Sequence, residues 1–121
     1  MNAMHRVALV AALVLGCSSD AGSGPSCGSG GTATSVNVCD NFFAPASSPI
    51  TTGAGITWTW RGGDQHNVTF EDPGFTNSAT KTSGTHTQSF ASAGTFRYRC
   101  TIHSSNFASG MVGSVTAQWR R

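Results

Sequence analysis

An all-β sandwich of seven or eight short antiparallel strands is the fold class this sequence predicts. Three observations predict it. From about residue 35 onward the apolar residues fall in short alternating runs. Gly, Pro, Asn and Asp punctuate those runs. Beyond an N-terminal apolar stretch, no segment carries helical periodicity.

Taken in order, "SVNVCD" puts Val36 and Val38 on one face and Cys39 on the other. "ITWTW" aligns Ile56, Trp58 and Trp60, with Thr57 and Thr59 opposite. "RGGD" reads as a turn, and "HNVTF" then sets His66, Val68 and Phe70 on the core face. A polar loop of roughly residues 71 to 85 follows, then the strand "HTQSF". "SAGT" reads as a hairpin turn into "FRYRC", where Phe96, Tyr98 and Cys100 point inward and Arg97 and Arg99 outward. "MVGSVTAQW" is the closing strand. Trp58, Trp60 and Trp119 are expected in the core, His86 on the surface, and Arg97 and Arg99 on a solvated face.

At 121 residues the chain has room for one domain with a real core. Only 10% of its residues are charged, and the net charge of +2 comes without a cluster of Lys and Arg. Nucleic-acid binding has no support in that pattern.

The N-terminus reads as an export signal over residues 1–16. "MNAMHR" carries Arg6, and the apolar run "VALVAALVLG" is too short to span a bilayer. The run ends in "VLGC", which resembles a bacterial lipobox. The resemblance implies cleavage before Cys17 and lipid on that cysteine. Ordinary secretion is the alternative. Residues 17–34, rich in Gly and Ser, then form a tether, and residues 35–121 form the domain. The expected location is extracytoplasmic, on the periplasmic or cell-surface side of a bacterial membrane.

In an oxidising compartment the remaining cysteines sort by place. Cys27 and Cys39 are spaced for a disulfide that would pin the tether to the first strand. Cys100 is left over, which calls for an explanation. A small buried hydrophobe is the plain one.

Period-2 alternation supplies another. His66 opens one strand and Cys100 ends another, both facing inward. His103 lies in the loop leaving that end, and Met111 begins the strand that returns from it. Two imidazoles and a thiolate in a plane, with a weak axial methionine, are the ligand set of blue-copper electron-transfer sites. Each residue alone has a duller role: a packed cysteine, a hydrogen-bonded core histidine, a methionine filling space. Together they would require several coincidences.

"HNV", followed by "FRYRCTIH" and "GMVGSV", resembles the small blue (type 1) copper proteins, the cupredoxins of the plastocyanin and azurin type. "NFFAPASSPITTGAGITWTW" is similar to their N-terminal strands, so the resemblance spans residues 36 to 119. It implies a Greek-key sandwich holding one copper ion, with His66, Cys100, His103 and Met111 as ligands. It also implies that Asn67 supports the thiolate from outside the ligand set and ties the ligand loops together. Seven residues separate His103 from Met111, more than in plastocyanin-type loops, which bears on the axial bond and the reduction potential.

The function expected from this is not enzymatic. It is single-electron transfer between unidentified redox proteins by a lipid-anchored monomer, with His103 as the electron's exit and Phe107 and Ala108 on a docking rim. A copper carrier or storage protein using the same ligands is the alternative, and the lack of Met-rich or His-rich tracts argues against it. A copper enzyme would need more histidines than the three left after cleavage. A zinc site is disfavoured by the methionine.

Overall fold

The computed structural model describes Cys27 and residues 31–120. The expected signal, the lipidated Cys17 and most of the tether lie outside the described residues. Eight strands form among the described residues: β1 (Ser35–Cys39), β2 (Phe42–Ala44), β3 (Ser47–Thr51), β4 (Gly55–Trp60), β5 (Thr69–Phe70), β6 (Thr85–Ser89), β7 (Gly94–Arg99) and β8 (Val112–Gln118). They make two four-stranded sheets, ordered β2-β1-β4-β6 and β3-β8-β7-β5. The all-β sandwich expected from the alternating runs is the observed fold.

The sheets are mixed rather than antiparallel, because β1 runs parallel to β4 and β3 parallel to β8. The physical reason lies in the route of the chain. It leaves one sheet after β2, contributes β3 to the other, and comes back as β4. A strand that returns by such a crossover can lie parallel to its neighbour, which a tight hairpin forbids.

The "SAGT" segment is likewise no hairpin turn. β6 pairs with β4, whereas β7 pairs with β5 and β8 in the opposite sheet. The chain changes sheets at the fully buried Phe90, whose backbone is bonded to Gly53 and Ala54 rather than to β7.

Between the sheets the alternation holds as read. Val36, Val38, Ile56, Trp58, Val68, Tyr98 and Val115 are fully buried. Trp58 meets the edges of Tyr98 and Phe70 at ring separations of 5.2 and 5.6 Å, a favourable arrangement for aromatic quadrupoles. Trp119 is not a core residue. It falls just past the end of β8 and is 72% exposed. Arg97 is exposed and forms a two-point ion pair with Glu71 (2.6 and 2.9 Å). Arg99, by contrast, is half-buried, bonded to the Ser104 carbonyl and lying over the Phe107 ring at 5.1 Å. His86 is also half-buried, with Nε2 2.9 Å from the Thr76 carbonyl oxygen. The Cys27–Cys39 disulfide is formed, with the Cα atoms 5.6 Å apart.

Candidate metal centre

Strand register brings the sulfur and nitrogen donors to one end of the sandwich. Thr69 of β5 faces Arg99 of β7, so the residue leading into β5 and the residue following β7 lie at the same edge. Arg99 in turn faces Val112 of β8, which sets Met111 beside Cys100. The Cys100 N–H donates to the Met111 carbonyl at 3.0 Å. A tight turn follows. The His103 N–H reaches the Cys100 carbonyl at 3.3 Å, and the Met111 N–H closes on the His103 carbonyl at 3.3 Å. The seven-residue excursion between His103 and Met111 therefore returns to its own starting point.

Three donor atoms face one another there. His66 Nδ1 is 3.2 Å from His103 Nδ1, and Cys100 Sγ is 3.8 and 3.6 Å from those two nitrogens. The circle through these atoms has a radius of about 2.1 Å, a first-row metal's bond length to nitrogen and sulfur. Among the described residues this is the His/Cys/Asp/Glu group so arranged. Met111 is 1% exposed, and its backbone is bonded to both Cys100 and His103. A thiolate, two imidazoles and a thioether suit a single type 1 copper ion, and these residues fit one.

The donors are unevenly sheltered. His66 and Cys100 are fully buried, while His103 is half-buried. The His66 backbone is fixed on two sides, by reciprocal 3.0 Å bonds to Lys81 and by the indole N–H of Trp60 on its carbonyl at 3.1 Å.

Asn67 lies between the two ligand segments. Its Oδ1 accepts the Thr101 N–H and the Thr69 hydroxyl, both at 3.0 Å. Its Nδ2 donates to the hydroxyls of Thr101 (2.8 Å) and Thr80 (3.0 Å). The loop beyond His103 braces itself. The Asn106 carboxamide accepts the N–H groups of Ala108 and Ser109, and the Ser104 hydroxyl donates to the Ser109 carbonyl.

One residue at the site escaped sequence reasoning. Asp40, the first residue after β1, has Oδ1 2.8 Å from His66 Nε2. Its carboxyl is held down at about 2, first by that bond and then by the N–H groups of Gly63 and Asp64. An aspartate after a strand is an ordinary turn residue, and nothing in a one-dimensional pattern joins positions 40 and 66.

Comparison with known proteins agrees with this architecture. No protein-family model matches the chain, and no curated protein sequence does. Solved structures do. A purple cupredoxin from Nitrosopumilus maritimus superposes with a TM-score of 0.60 at 22% identity, over 70% of this chain and 99% of its own. Plastocyanin from Dryopteris crassirhizoma gives 0.56 at 20% identity, over 69% and 99%. A copper-containing nitrite reductase from Thermus scotoductus gives 0.58 at 16% identity, over 73% of this chain but 23% of the enzyme. The chain has the cupredoxin fold.

Proposed function

We propose that this protein is a single-copper electron carrier working outside the cytoplasm, held to a bacterial membrane by lipid on Cys17. The observation that carries the copper part of the proposal is the triangle of Nδ1, Nδ1 and Sγ atoms, of a size to grip one ion, with the buried Met111 beside it. The anchor and location rest on the lipobox-like "VLGC" alone. A copper ion bound there supplies a reversible one-electron couple.

The chain's part is to keep the donors still. Thiolate sulfur favours the reduced ion and imidazole suits both states, so a frame that imposes one compromise geometry limits rearrangement when an electron moves. Strands β5, β7 and β8 and the Asn67 bonds form that frame. His103 is the least buried of the four side chains and is the route for the electron. Ile102, half exposed, joins Phe107 and Ala108 in an apolar rim suited to brief contact with a redox protein. The tether of residues 17–34 would let the domain reach partners from the membrane surface. The reading as a carrier rather than an enzyme rests on the histidines. Two of the three that survive signal cleavage sit in the triangle, and the third, His86, is bonded to Thr76.

The test is to express residues 18–121, add Cu(II) and record the visible spectrum. An intense blue thiolate-to-copper band, lost in Cys100→Ser, is expected. A colourless or weakly coloured product overturns the proposal. Mixing with a small redox protein and, separately, with a copper chelator then compares rates. Fast electron exchange with slow metal loss is expected, and the reverse order would make the protein a copper carrier.

A further inference from the structure

We infer that Asp40 is a positioning residue for the metal centre: its carboxylate fixes the His66 ring in the Nε2–H tautomer, leaves Nδ1 bare to bind, and favours the oxidised ion. The electrochemical part rests on the copper reading above. The tautomer part stands on geometry alone.

A neutral imidazole has one nitrogen that donates and one that accepts, and the partner of one nitrogen decides the role of the other. An ionised carboxylate only accepts. With Asp40 Oδ1 2.8 Å from Nε2, the ring proton belongs on Nε2. Nδ1, which faces Cys100 and His103, then presents its lone pair to them. On the His66 ring itself, no flip or proton shift is needed before a metal enters.

The carboxylate is itself built in. Oδ1 also accepts the Asp64 N–H and Oδ2 the Gly63 N–H, each at 3.0 Å. A Cβ on Gly62 would stand 2.2 Å from Oδ1, so the Arg61–Asp64 turn closes over the carboxylate with no room for a side chain there. Asp40 also follows directly on Cys39, which the disulfide anchors to Cys27. Two backbone N–H groups, from Gly63 and Asp64, thus hold the side chain that meets the His66 ring nitrogen.

Such a carboxylate raises the donor strength of the imidazole behind which it stands. It also adds a negative charge near the site, which favours Cu(II) over Cu(I). Its side chain is 40% exposed, so water screens part of that charge and the effect is moderate.

Two measurements test the inference. The first is ¹⁵N NMR of the His66 ring in the metal-free protein at mildly alkaline pH. A protonated Nε2 and bare Nδ1 are expected in the wild type, with mixed tautomers in Asp40→Ala. A wild-type ring protonated on Nδ1 overturns the inference whatever the variants do. The second is redox titration of copper-loaded Asp40→Asn, which keeps an accepting oxygen but loses the charge. Its equilibrium with a one-electron mediator should move about tenfold toward Cu(I), or about 59 mV, with the blue band retained. An unchanged or lowered potential with the band intact overturns the electrochemical part. A wild-type protein that never turns blue overturns the copper reading instead, and the metal-free ring still reports the tautomer.

Discussion

Asn67 and Thr101 are joined twice, N–H to Oδ1 at 3.0 Å and Nδ2 to hydroxyl at 2.8 Å, so the segment carrying His66 is tied to the turn carrying Cys100. Each ligand lies one residue before its half of this clasp. The clasp therefore sets the spacing between the nitrogen and the sulfur.

Asn67→Ala removes both halves and strands the Thr101 amide. A loss of about 1–3 kcal/mol in folding stability is expected, as for a buried polar group left unpaired. Urea unfolding of the metal-free protein measures it. Copper release to a chelator should quicken in parallel. If stability and release are both unchanged, the two segments do not depend on the clasp.

Gly113 in β8 faces Tyr98 in β7, and a Cβ placed there would lie 2.3 Å from the ring carbon that bears the hydroxyl. The ring is fully buried between Trp58 and Phe43 and has nowhere to retreat. Gly113→Ala is expected to lower stability by about 1–3 kcal/mol through overpacking. A denaturation midpoint equal to that of the wild type would refute this.

Tyr98 is the single tyrosine of the chain, so tyrosinate absorbance reports it alone. Burial pushes its phenol well above the ordinary range, and no atom among the described residues hydrogen-bonds its oxygen. The unfolded phenol ionises near about pH 10, while the folded one resists. Stability from this source is whole below that pH and is lost as pH rises above it. Absorbance should stay at the phenol level past about pH 10 and rise only together with loss of near-ultraviolet dichroism. Ionisation of Tyr98 in the folded protein at an ordinary tyrosine pH would contradict its burial.

The Cys27–Cys39 bond closes a loop with a sequence separation of 12. Replacing both residues by Ala is expected to cost about 2–4 kcal/mol, chiefly by freeing the unfolded chain. A chemical denaturation curve checks it. A midpoint within error of the wild type would leave the bond without a stabilising role.

Alternation made most of the sandwich legible. In β4 and β8 the buried residues recur at every second position, so which side chains face inward could be read directly from the order of apolar and polar residues. His66 and Cys100 were legible for the same reason, as polar or reactive residues continuing an inward row. What failed was anything set by how strands pair. The segment before Gly94 has the composition of a hairpin turn, yet Phe90 finds its cavity in the core and carries the chain across to the other sheet. Trp119 matches the inward rhythm of β8 but lies beyond the last residue that β7 and β3 can cover.

The amino-acid order by itself determined the class of fold and the inward faces, with His66 and Cys100 among them, because period-2 burial is a local property of each strand. His103 and Met111 were named by the motif around them. Only the tertiary structure decided the parallel pairings, the size of the donor triangle and the meeting of Asp40 with His66. Those are distances between segments far apart in the chain. They are set by which sheet each strand joins and in what register, and no local pattern of side chains encodes that choice.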